Sequence, residues 1–141
     1  MIRAKYVMCK KTGLTLNTPG REVVYKLMAT GCPGLPVVND QMEVIGVVTG
    51  FDLLRAVKEG REPETITVEK IMSGPPKTAD LDTPLETLID MMTENRSSII
   101  PIVKGKRLVG IVSGLEILDT YVEPHHYRSF EEHGHEGYAS A

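Results

Sequence analysis

The sequence predicts a mixed α/β (α+β) fold made of two pseudo-symmetric copies of one β-α-β-β-α unit, and three observations point to it. The first is an internal repeat. GLPVVNDQMEVIGVVTGFDLLRAV, from Gly34 to Val57, returns as IIPIVKGKRLVGIVSGLEILDTYV, from Ile99 to Val122. Pro36 falls on Pro101, Gly46 on Gly110, Gly50 on Gly114 and Leu54 on Leu118, with a one-residue length difference absorbed in the turn. The second is helical spacing of apolar residues at Val23, Val24, Leu27 and Met28. The third is a pair of short Val/Ile-rich runs in each copy, separated by turn residues such as Asn39-Asp40.

Each element has a local reason. Leu14 to Leu16 reads as extended. Thr18 suits a helix N-cap and Pro19 the first helical position, and Gly31 stops that helix. Leu35 to Val38 and Val44 to Val48 form a hairpin, and Thr49 opens a second helix through Leu53, Leu54 and Val57. In the second copy Thr83-Pro84 opens a helix to about Asn95, Ile100 to Val103 and Leu108 to Val112 are strands, and Ser113 opens the last helix. This divides the chain into repeat 1 (1–58), a polar linker (59–69), repeat 2 (70–122) and a polar tail (123–141) expected to lack fixed structure without a partner.

Composition narrows the function classes. The chain has 141 residues, 41% of them apolar, no Trp and only two Phe, so Val, Ile, Leu and Met must build the core. Net charge is −3 and the basic residues do not cluster, which argues against a nucleic-acid partner. No apolar run approaches the ~20 residues of a membrane span, and no secretory signal opens the chain, so no membrane role and a cytoplasmic location are expected. Cys9 and Cys32 then read as reduced, partly buried thiols. No Ser/His/Asp set, phosphate-binding Walker loop or GxGxxG motif is present, so no catalytic residue is expected. His125, His126, His133 and His135 match no closed metal motif, and no metal site is expected.

Thr49-Gly50-Phe51-Asp52 lies where a strand passes into a helix. The unpaired amides of a helix start favour an anion, the Thr49 hydroxyl adds a donor, and Gly50 leaves room for close approach. Asp52 offers a carboxylate one turn along. The same residues also read as an ordinary capping box, with Asp52 facing back to Thr49. In repeat 2 the stretch is Ser113-Gly114-Leu115-Glu116, where the longer Glu makes the better capping box.

These residues resemble a tandem pair of cystathionine-β-synthase-type (CBS) domains, over about residues 5 to 122. The resemblance rests on the hydrophobic-Pro-Val-Val strand, the Val-Ile-Gly-Val-Val return strand, the Thr-Gly-Phe-Asp-Leu-Leu helix start and the Ile-Met-Ser opening of repeat 2. It implies two units packed through their sheets into one globule, often dimerised, with clefts between them that bind adenosine-containing ligands. Asp52 then matches the family's Thr/Ser-x-x-Asp motif and would accept from ribose hydroxyls. Because the family holds adenine largely by main-chain groups of the partner repeat, Lys77, Thr78, Ala79 and Ser97 are expected opposite Thr49, Gly50 and Asp52. Thr12, Gly13, Leu14 and Cys32 are expected to serve a weaker cleft with Ser113 and Glu116. Gly34 and Ile99 stand where nucleotide-binding members often carry Arg or Lys, which favours AMP, adenosine or S-adenosylmethionine over ATP.

The expected function is therefore a stand-alone sensor with no required cofactor, signalling to a separate, unidentified protein. A ligand-free dimerisation scaffold is the alternative. A homodimer is expected because the second helix of each unit carries surplus apolar residues: Phe51, Leu53, Leu54 and Val57, then Leu115, Ile117, Leu118, Tyr121 and Val122.

Overall fold

The computed structural model describes residues 1–10 and 13–127. In chain order the elements are α1 (Ala4–Val7), β1 (Cys9–Lys10), α2 (Gly20–Thr30), β2 (Gly34–Val38), β3 (Val44–Thr49), α3 (Gly50–Lys58), α4 (Val68–Ile71), β4 (Ala79–Asp80), α5 (Leu85–Asn95), β5 (Ile99–Lys104), β6 (Arg107–Ser113) and α6 (Gly114–Val122). A 3-10 turn, Pro124–His126, follows. The strands form a four-stranded sheet, ordered β1-β6-β5-β4, and a two-stranded sheet, β2-β3. The mixed α+β class and the hairpin in each copy stand as expected.

The compact units cut the chain differently from the sequence repeats. The described residues of Thr12–Pro76 form one unit, and those of Met1–Lys11 with Lys77–Ala141 form the other. In the first, β2 pairs antiparallel with β3, Pro36 facing Val47, and Leu14 bridges Val37 on the open edge of β2. The helix α2 begins at Gly20 with Pro19 as its N-cap, one residue later than Thr18 as its cap would give. The Thr18 hydroxyl instead accepts from the Thr15 amide at 3.1 Å. The first α2 amides are met by main chain from the expected linker, Gly20 N–H donating to Ile66 O at 2.7 Å and Arg21 N–H to Glu64 O at 3.1 Å. A Cβ on Gly20 would run into the Pro63 carbonyl, so only glycine admits this approach. Residues 59–69 are thus packed chain in this unit. Their continuation brings Ser73 into main-chain pairing with Val47 and sets Met72 against Gly46.

The other unit repeats the arrangement with the N-terminal segment. Leu85 N–H donates to Ile2 O at 3.1 Å, Cys9 pairs with Ile111, and Met8 lies against Gly110. Thr83 also turns back, accepting from Asp80 N–H at 3.1 Å, so α5 begins at Leu85. The core here gathers Tyr6, Val7, Leu88, Ile100, Ile102, Val112 and Ile117.

The Pro124–His126 turn leads from α6 to Tyr127. Tyr127 is only 4% exposed, joins this core and donates its hydroxyl to Asp119 Oδ2 at 2.8 Å. Burial and the neighbouring Asp119 carboxylate push the Tyr127 phenol up to about 12. His133 and His135 lie outside the described residues.

Candidate functional site

Strand β3 ends at Thr49, whose extended backbone caps α3, and the chain turns into the helix at Gly50. Thr49, Gly50 and Asp52 are brought together as expected. Asp52 is 6% exposed, and its carboxylate closes the capping box. Oδ2 accepts the Thr49 amide at 2.8 Å and the Thr49 hydroxyl at 3.2 Å, while Oδ1 accepts from Arg55 Nη1 at 3.2 Å. The Thr49 hydroxyl therefore spends its proton on Asp52. Its oxygen in turn accepts the Asp52 amide, which completes the capping box. Arg55 is 63% exposed, so its bond to Oδ1 is the weakest held of the three.

The glycines of the repeat fall into two kinds. A Cβ on Gly46 would sit 2.7 Å from Ser73 O and 2.8 Å from Met72 Sδ, so packing excludes it. A Cβ on Gly50 meets nothing within 4 Å, and neither does one on Gly114. Neither residue has a positive φ. The fold does not require glycine at these two helix starts, and its effect there is to leave the first turn bare.

A cavity of about 210 Å³ opens beside Asp52, lined also by Arg55, Glu59, Arg61 and Lys70. This is below the ~300–1,000 Å³ of a ligand pocket. Arg61 and Lys70 were not legible as neighbours of Asp52, because only tertiary packing brings them beside it.

In the other unit, Ser113 and Glu116 form the corresponding box with a different division of oxygens. Oε1 accepts the Ser113 amide at 2.7 Å and Oε2 the Ser113 hydroxyl at 2.8 Å. The extra methylene lets Glu116 span both donors, and each of its oxygens is committed to the cap.

The remaining expected residues are placed as follows. Lys77 and Thr78 are exposed, and neither side chain makes a hydrogen bond or ion pair among the described residues. Ala79 is buried in β4, facing Ile102 in parallel register. Ser97 is half-buried just before β5, its amide donating to Met92 O at 3.1 Å past the left-handed Arg96. Its counterpart Cys32 is half-buried beyond Gly31. Leu14 is wholly buried, and its amide and carbonyl are both taken, by Pro36 O and Val38 N–H at 2.8 Å each. Gly13 lies in irregular chain before it, and Thr12 lies outside the described residues.

With this geometry in hand, the chain can be set against known proteins. The CBS domain profile matches residues 6–59 and 68–123. An uncharacterized protein of Methanopyrus kandleri is 32% identical over 113 residues, which is 79% of this chain. The chain spans 57% of the length of that relative, and under a fifth of the enzymes it also matches. Among solved structures, the CBS domain pair of protein MJ0100, in complex with 5-methylthioadenosine and S-adenosyl-L-methionine, superposes with TM-score 0.76 at 24% identity. It covers 88% of this chain and 98% of its own. CBSX2 in complex with AMP gives TM-score 0.69 at 20% identity, covering 84% of this chain and 95% of its own. Both likenesses bear on the fold. Two profile matches that together span most of the chain, one on each sequence repeat, make this protein a member of the CBS domain family.

Proposed function

We propose that the chain is a regulatory module that binds an adenosine-containing ligand (AMP, adenosine, S-adenosylmethionine or ATP) between its two repeats and signals to a separate protein. The observation that carries this reading is the α3 start: a bare Gly50 beside a buried Asp52 whose Oδ1 stands outside the helix cap. In this reading the ribose hydroxyls displace Arg55 from Oδ1. The freed guanidinium, with Arg61 and Lys70 nearby, meets a phosphate or carboxylate of the ligand. Main-chain groups of Lys77, Thr78 and Ala79, with Ser97, hold the adenine. Both Glu116 oxygens are used in its cap, which supports reading the cleft it serves, with Ser113, Thr12, Gly13, Leu14 and Cys32, as the weaker one. The adenosine ligands named for MJ0100 and CBSX2 support this ligand class. Among the described residues no helix is long and apolar enough to cross a membrane; a cytoplasmic location is part of this proposal.

A second reading has its own support. Both capping boxes are complete without a ligand, and both second helices expose apolar side chains, as a dimerisation scaffold of this fold would require. A thermal-shift screen against AMP, ADP, ATP, S-adenosylmethionine and NAD(H) separates the two. A ligand at 100 times its dissociation constant adds about 2.7 kcal/mol of stability. A clear rise with AMP or S-adenosylmethionine is expected, and no rise with any of the five at millimolar concentration leaves the scaffold.

A further inference from the structure

The C-terminal turn carries a cluster of side chains that ligand binding at α3 does not use. Tyr127, buried and bonded to Asp119, holds the Pro124–His126 turn against the end of α6. That brings Glu123, His125 and His126 to one exposed spot, where one possible ligand atom from each lies within 4.8 Å of the others. His125 Nδ1 is 3.5 Å from Glu123 Oε2, and the two imidazole centroids are 4.5 Å apart. In a tetrahedral shell with bonds of about 2.0–2.1 Å, neighbouring donor atoms stand about 3.4 Å apart. The His125–Glu123 pair already has that edge, and exposed side chains close the rest by rotation.

His126 Nδ1 also lies 3.9 Å from Asp119 Oδ2. Asp119, already fixed by Tyr127, then orients His126 from behind, as carboxylates commonly do for metal-bound histidine.

We propose that Glu123, His125 and His126 form a surface site for a divalent transition-metal ion, zinc first, with a fourth position open to water or to another ligand. Two imidazoles and one carboxylate suit such ions, whereas magnesium and calcium take oxygen shells. Binding would tie the C-terminal turn to α6.

Calorimetric titration of Zn²⁺ into the full chain, stripped by chelator, tests this, with Mg²⁺ as the control cation. One equivalent of zinc is expected to bind at micromolar concentration or tighter, and magnesium is not. Glu123→Gln should weaken zinc at least tenfold, and His125→Ala/His126→Ala should remove the site. His133→Ala/His135→Ala should leave it intact. Circular dichroism melts of each variant confirm that Tyr127 still anchors the turn. Absence of zinc binding overturns the proposal. So does zinc affinity that survives His125→Ala/His126→Ala or is lost with His133→Ala/His135→Ala.

Discussion

Asp52 Oδ2 receives both donors of Thr49, its amide at 2.8 Å and its hydroxyl at 3.2 Å, and so leaves Oδ1 outside the helix cap. Glu116 instead divides its two oxygens between the amide and the hydroxyl of Ser113. The two helix starts, equivalent in the repeat, therefore share out their caps differently.

Both carboxylates cap helices, so both should matter for stability. An acidic side chain in the first turn of a helix contributes roughly 0.3–1 kcal/mol. Asp52→Ala and Glu116→Ala should each lower the urea midpoint by a corresponding amount with an unchanged m-value. A variant with no loss would mean that its box contributes nothing to the folded state.

The two kinds of glycine separate stability from binding. Gly46→Ala forces a Cβ onto Ser73 and Met72, and overpacking of this kind costs about 1–3 kcal/mol. Gly50→Ala enters open space and should leave the melting temperature unchanged or slightly higher, while weakening AMP or S-adenosylmethionine by at least tenfold. Thermal melts and titrations on the two variants decide it. Binding untouched by Gly50→Ala would mean that the ligand does not approach the α3 start.

Tyr127 makes a pH prediction with a definite sign. Its phenol is raised from 10.0 to about 12 in the folded protein, by burial and then by Asp119. Between those values the unfolded chain has lost the proton and the folded chain keeps it, so stability must fall as pH rises. The contribution is fully present below pH 10. Tyr127→Phe lacks this group, and the stability difference between wild type and variant should shrink from pH 10 to 12. A constant difference across that window would place Tyr127 in water.

Surplus apolar surface predicts association. Phe51 and Leu115 are 74% and 70% exposed, and Leu54, Val57, Leu118 and Val122 are also exposed on the same two helices. Met28 and Tyr25, on α2, add to the exposed apolar surface in repeat 1, where helical spacing had suggested core for Met28. A second copy of this chain is the expected cover. Sedimentation should give twice the 15.5 kDa monomer mass, and Phe51→Glu with Leu118→Glu should return it to monomer. A wild-type monomer at micromolar concentration contradicts this.

The hairpins and the two helices of each repeat were legible because local periodicity dictates them. Val37, Val48 and Ile102 lie in short Val/Ile-rich runs bounded by turn residues, and Val23 and Leu88 sit on helical faces. The helix starts were misread at Thr18 and Thr83, whose hydroxyls turn backward, since the α2 amides are met by Ile66 and Glu64, far along the chain. No local pattern announces such a partner. The Thr49–Asp52 capping box was legible from its motif, whereas Arg61 and Lys70 beside it were not, because a polar stretch with Pro63 resembles a linker until it packs. Tyr127 was missed for a similar reason: one aromatic residue in a polar tail has no period to reveal that it is buried.

The central claim is that Asp52, through the oxygen its cap leaves over, accepts the ribose of an adenosine ligand. Calorimetric titration of AMP and S-adenosylmethionine into wild type, Asp52→Ala and Glu116→Ala tests it most directly. Hydrogen bonds to a charged group contribute roughly 1.5–3 kcal/mol, so Asp52→Ala should weaken the main binding event about 10- to 150-fold. Glu116→Ala, checked to be folded, should leave that event nearly unchanged. Equal losses in the two variants, or no loss in Asp52→Ala, would contradict the account and leave Asp52 as a helix cap alone.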